Sequence, residues 1–165
     1  MRQQTTRLAL LAVVLSTIGC DQASKYVAAA HLMNLPRRSF LGDWLRLEYA
    51  ENTGAFLGLG ADLPTWARTM IFSVGTGLIL LACVVAGLRR GRSEASRLAL
   101  ALVFAGGISN LFDRLAHGAV VDFLNIGVGS LRTGIFNVAD MAILLGVGLF
   151  LYCDGQSADR RRAAG

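Results

Sequence analysis

Four long apolar runs within 165 residues set the terms for any fold of this chain. They cover about 8–30, 66–88, 96–114 and 135–153. A bilayer core about 30 Å thick is crossed by about 20 mostly apolar residues at 1.5 Å rise each. The third run approaches that length only when Asn110 and its neighbours count as part of the helix. Charged residues make up 16% of the chain, where soluble domains carry about a quarter. The expected fold is therefore all-α and membrane-integral, a single domain over 1–165. It has four transmembrane helices, outer connections at about 31–64 and 115–134, and a polar, poorly ordered tail over 154–165.

The positive charges give this bundle a direction. Arg2 and Arg7 precede the first run, Arg89, Arg90, Arg92 and Arg97 fill the turn between the second and third, and Arg160, Arg161 and Arg162 follow the fourth. With four spans these clusters share one side, which the positive-inside rule assigns to the cytoplasm, together with both termini. The net charge of +5 is thus spread over membrane flanks. No basic stripe interleaved with aromatics is present, so no nucleic-acid partner is expected. Cys20, Cys83 and Cys153 form no CxxC pair, and His31 and His117 lie far apart, so no metal site is expected. Cys83 and Cys153 read as small core hydrophobes.

The outer connections carry strand signals. Leu45, Leu47 and Tyr49 alternate along one face of 44–49, and 120–124 is rich in β-branched and aromatic residues. A small extracytoplasmic β-element on the helices is expected.

Ionisable groups inside membrane spans are costly and usually face the bundle interior or a water-filled cavity. Asp21 lies roughly 21 Å along a helix from Arg7, Asn110 roughly 20 Å from Arg97, and Asp140 roughly 18 Å from Tyr152. Three helices thus bring polar groups to one level, in the outer part of the bilayer. Asp21 with Lys25, and Asn110 with Asp113 and Arg114, share helix faces by their spacing, as do Asn137 and Asp140. Asp21–Lys25 and Asp113–Arg114 read more simply as structural ties at helix ends. Asn52 and Asp122, on the outer connections, are able to join the set. The chain shows no Ser-His-Asp or Cys-His arrangement, and His117 reads as an interfacial residue. What it offers is carboxylates. Two held close cannot both ionise easily, so one acts as acid and the other as base. That is aspartic-protease chemistry, needing no metal or other cofactor. Spacing alone leaves open which aspartates pair.

Five segments, in order, carry a resemblance. Asp21-Gln22-Ala23-Ser24-Lys25, Glu51-Asn52-Thr53-Gly54-Ala55-Phe56, Gly106 to Arg114, Val120-Val121-Asp122-Phe123 and Phe136-Asn137-Val138-Ala139-Asp140 are similar to the motifs of bacterial lipoprotein signal peptidases. The resemblance implies a catalytic dyad of Asp122 and Asp140. It also implies that Asn52, Gly54, Asn110, Arg114 and Asn137 position substrate or dyad, with Asp21, Lys25 and Asp113 supporting the site. The implied substrates are prolipoproteins whose cysteine carries diacylglycerol, cut just before that cysteine. The enzyme would work in the bacterial inner membrane, in contact with its lipid, as a target of cyclic peptide antibiotics such as globomycin. Two positions depart from the common pattern: one alanine fewer follows Gly54, and Ser109 stands where glycine is usual.

Three other readings compete. Thr17-Ile18-Gly19-Cys20 after an apolar run looks like a lipobox, but three more apolar runs follow it. A small transporter would carry polar groups deeper or on both sides. A scaffold leaves the converging carboxylates without a role. Gly106 and Gly107 read as sites of close helix packing. Gly54, Gly58 and Gly60 suggest an outer loop able to close over substrate.

Overall fold

The computed structural model describes residues 2–54, 63–89 and 91–163. Four helices, α1 (Arg2–Leu32), α2 (Thr65–Leu88), α3 (Glu94–His117) and α4 (Val138–Ala163), are each long and apolar enough to cross a membrane. α3 is the central helix and packs against the other three. Small buried residues, Ala99, Ala105, Gly106 and Gly107, let its neighbours approach. A Cβ on Gly106 would lie 2.4 Å from the Ala139 carbonyl oxygen of α4, and one on Gly107 would lie 2.9 Å from Leu80 of α2. These glycines therefore serve close packing, which drives helix association where lipid removes the hydrophobic gain.

α1 buries one stripe, Asp21, Lys25, Ala28 and Leu32, and leaves Leu8, Leu11 and Leu15 exposed. That pattern suits a helix with lipid on most sides. The helix runs unbroken through Thr17–Cys20, so the lipobox-like segment lies inside a span. Ser93 caps α3 by accepting from the Ser96 amide, and Gly118 ends it at φ 77° with its amide on the Arg114 carbonyl. Cys83 is buried, Cys153 half-buried and Cys20 exposed.

The β-element is a four-stranded antiparallel sheet in the order β1 (Arg38–Phe40), β2 (Leu45–Asn52), β3 (Val120–Val128), β4 (Leu131–Arg132). β2 and β3 cover the two segments with strand signals and run further. β1 and β4 had no legible signal, because strands of three and two residues are too short to show alternation. The sheet sits on the end of α1, where Phe123 packs with Ala28 and Leu32, flanked by Leu47, Tyr49, Leu124 and Val138.

Both ends of α4 differ from the sequence expectation. The fourth apolar run starts at about 135, but α4 begins at Val138 because Phe136 bridges to Leu124 of β3 by hydrogen bonds of 2.8 and 2.9 Å. At its other end α4 continues to Ala163, through most of the segment expected to be a poorly ordered tail. Residues 154–163 contain no proline to break the helix. Gly58 and Gly60, proposed as part of a closing loop, lie outside the described residues.

Candidate active site

The start of α4 builds the site. Asn137 precedes the helix and its Oδ1 accepts from the Asp140 amide at 2.9 Å, while Asp140 Oδ2 accepts from the Asn137 amide at 3.1 Å. This is a reciprocal capping box, which satisfies two amides that would otherwise lack partners and fixes the Asp140 rotamer. The remaining Asp140 oxygen accepts from Asn110 Nδ2 at 2.8 Å. Asp140 is thus aimed by both α3 and its own helix cap.

Asp122 arrives from β3. Its position opposite Ala50 follows a register shift between Leu47 and Ala50 of β2. It is 2% exposed, and its carboxylate accepts from Asn137 Nδ2 at 2.6 Å and Asn52 Nδ2 at 3.0 Å. Asn137 therefore joins both carboxylates. Burial, followed by the charge of Asp140, pushes the Asp122 carboxyl up to about 6, against the lowering effect of the Asn52 and Asn137 hydrogen bonds. Asn52 also accepts from the Gly54 amide at 3.1 Å, a local turn that ties the outer connection to Asp122.

Beneath Asp140 lies a buried ionic layer. Lys25 Nζ is within 2.6 Å of Asp21, 2.7 Å of Asp113 and 2.7 Å of Asn110 Oδ1. Its three protons match those three oxygens. Asp21 is fully buried and its other oxygen accepts from the Ala139 amide at 2.7 Å. Asp21 is therefore a cap for α4 supplied by α1, one residue from Asp140. The Asp21–Lys25 pair is the tie between helix residues that the spacing suggested. Buried pairs of this kind hold geometry more than they add stability.

Arg114 is placed differently from the other residues. Its guanidinium reaches the Gly54 carbonyl at 3.3 Å and the Asn110 carbonyl at 3.4 Å. Among the described residues it hydrogen-bonds no carboxylate, and its Nε has no partner. Two residues with no expected role complete the layer. Ser109 donates to Asp21 at 2.7 Å and accepts from Gln22 at 2.9 Å, and Gln22 donates to Asp113 at 2.8 Å. Each is a neighbour in sequence of a residue singled out by charge or amide chemistry. Neutral side chains at span level carry too little signal to be picked out individually. His117 is exposed at the end of α3 and stacks edge-on to Phe112, outside this network.

A polytopic helical membrane enzyme with a sheet-capped, carboxylate-lined site is what this architecture defines. The profile of the family described as signal peptidase (SPase) II matches residues 13–154. The chain belongs to the signal peptidase II family, and it is a multi-pass membrane peptidase. It is 32% identical over 157 residues to the lipoprotein signal peptidase of Photorhabdus laumondii, covering 95% of this chain and 93% of that one. It is 33% identical to that of Klebsiella aerogenes over 147 residues, or 89% and 88% of the two chains. A solved bacterial membrane enzyme, determined by the in meso method at 2.3 Å, superposes with a TM-score of 0.82 at 25% identity, covering 92% of this chain and 90% of that one.

Proposed function

We propose that the chain is an aspartic endopeptidase that removes signal peptides from diacylglyceryl-modified prolipoproteins, with Asp122 and Asp140 as the dyad. The observation that carries this reading is Asn137, a fully buried residue that donates to the Asp122 carboxylate through its side chain and to the Asp140 carboxylate through its backbone amide. In the reaction, the ionised carboxylate takes a proton from water as the water oxygen attacks the scissile carbonyl carbon. The protonated carboxyl hydrogen-bonds the carbonyl oxygen, which becomes the second hydroxyl of a tetrahedral intermediate. Collapse moves a proton to the amide nitrogen and breaks the C–N bond. The products are the signal peptide's new carboxylate and a free amine on the lipid-bearing cysteine. Arg114, with donors not taken up by a carboxylate, is available to hold a substrate carbonyl beside the dyad.

The substrate is a helix anchored in the same bilayer. A signal peptide entering from the cytoplasmic side presents its far end at the level of Asp122 and Asp140, near the outer face. The basic clusters support an orientation in the inner membrane with both termini of the enzyme in the cytoplasm. Cyclic peptides that mimic this bound segment are expected inhibitors, as the resemblance implies. The test compares a diacylglyceryl-modified precursor with its unmodified form, using mass spectrometry of the products. Release of a mature chain beginning at the lipidated cysteine, from the modified precursor only, is expected. Cleavage at another bond, or equal cleavage of both forms, contradicts the proposed specificity.

A further inference from the structure

The far end of the sheet carries apolar residues where turns are normally polar. The β1–β2 turn presents Leu41 and Trp44, 78% and 59% exposed, and the β3–β4 turn presents Val128 and Leu131, 58% and 84% exposed. These form one surface. The Gly127 amide donates to the Trp44 carbonyl at 3.0 Å, and Arg132 Nη1 donates to the Asp43 carbonyl at 2.8 Å. Asp43 in turn is held by Ser39 at 2.6 Å and by Arg46 Nε at 2.7 Å, which keeps its carboxyl well below the usual carboxylate range. The two turns are clamped together through charged groups while the apolar side chains point outward.

The clamp also holds a strained backbone. Leu41, Gly42 and Asp43 have φ of 54°, 63° and 74°. Glycine adopts such angles freely, whereas leucine does so against its own Cβ. Strain of this kind persists where the surrounding structure over-determines it, and it points to a use for the side chain displayed. An exposed Leu and Trp pair on a rigid tip has no such use in water.

Continuity and charge name the occupant. Met33 and Leu35, 43% and 51% exposed, carry the lipid-facing surface of α1 onward to β1. Between them and Phe40 stand Arg37 and Arg38, both exposed. Aromatic and aliphatic residues bordered by arginines suit the boundary of headgroups and acyl chains. We propose that the paired hairpin tips dock into the lipid surface on the sheet's side of the membrane, with Arg37 and Arg38 on lipid phosphates. The sheet is then fixed at both ends, by the α1 core at one and by lipid at the other. This sets the height of Asp122 on β3 relative to α4. The proposal rests on the chain being membrane-embedded and not on the identity of the dyad.

Trp44 and Trp66 are the two tryptophans, so a Trp66→Phe variant makes Trp44 the sole reporter. The variant is reconstituted in phosphatidylethanolamine–phosphatidylglycerol vesicles, with and without brominated acyl chains. Trp44 emission is expected to be blue-shifted, quenched several-fold by the bromines and protected from aqueous iodide. Adding Leu41→Ser and Leu131→Ser, with helix content checked, should shift the emission to the red and weaken bromine quenching. Quenching by iodide and not by bromines in Trp66→Phe overturns the proposal. Protection from both quenchers also overturns it, because protein then covers the tips. Unchanged bromine quenching in the folded triple variant removes the assigned role of the two leucines and overturns the docking mode.

Discussion

Asn137 uses both ends of its side chain and its own amide on the two acidic residues, with 0% of its surface exposed. Replacing it with alanine removes the side-chain half of the capping box and the hydrogen bond that ties Asp122 to the start of α4. A misplacement of about 1 Å at a reacting group costs about a hundredfold in rate. Asn137→Ala is therefore expected to lower kcat by about two orders of magnitude, with a smaller change in KM, in steady-state cleavage assays. A second expectation follows from Asp122. Burial pushes its carboxyl up to about 6 from the ordinary 3.8, so the folded state disfavours the charged form. Stability relative to the unfolded chain is thus largest below 3.8 and declines as pH rises to about 6. Thermal unfolding in detergent should show a decline across that window, and Asp122→Asn should remove part of it. An identical pH slope in the variant would mean that Asp122 is not desolvated as described.

At the scale of elements, helix contacts transmit to the proposed dyad only where they are close to it. Gly106 and Gly146 both lie hard against a neighbouring helix: an added Cβ would be 2.4 Å from the Ala139 carbonyl in one case and 2.7 Å from the Ala99 carbonyl in the other. Either substitution to alanine should destabilise by about 1–3 kcal/mol, as overpacking does. Only Gly106→Ala pushes on the residue beside Asp140, so it should also lose activity out of proportion to its stability. Gly148→Ala, with nothing within 4 Å, is the neutral control. The comparison uses thermal unfolding and turnover on the same preparations. The sequence showed these elements unevenly. Apolar runs and polar depth were legible because lipid forces every span to be long and every charge to have a partner. Asp21 and Lys25 could be placed on one face from their spacing. The capping of α4 by Asp21 could not, because it links residues 118 apart and depends on how α1 packs. Ser109 and Gln22 stayed hidden for the same reason. The two short edge strands had no periodicity to read.

For the whole molecule, the proposed orientation puts the end of the bundle that bears the sheet, Asp122 and Asp140 outside the cytoplasm. In a cysteine-free background, Glu51→Cys should react with an impermeant maleimide in intact cells. Glu94→Cys, at the start of α3, should react only after permeabilisation. The reverse pattern would invert the bundle and move the site to the cytoplasmic face. The central claim concerns chemistry, and cleavage of a diacylglyceryl-modified prolipoprotein tests it most directly. Purified wild type, Asp122→Asn and Asp140→Asn are compared, each with folding verified. Wild type should cut before the lipidated cysteine, while both variants remain folded and show no turnover. A folded variant that retains near-normal cleavage would contradict the dyad and return Asp21 and Asp113 to consideration.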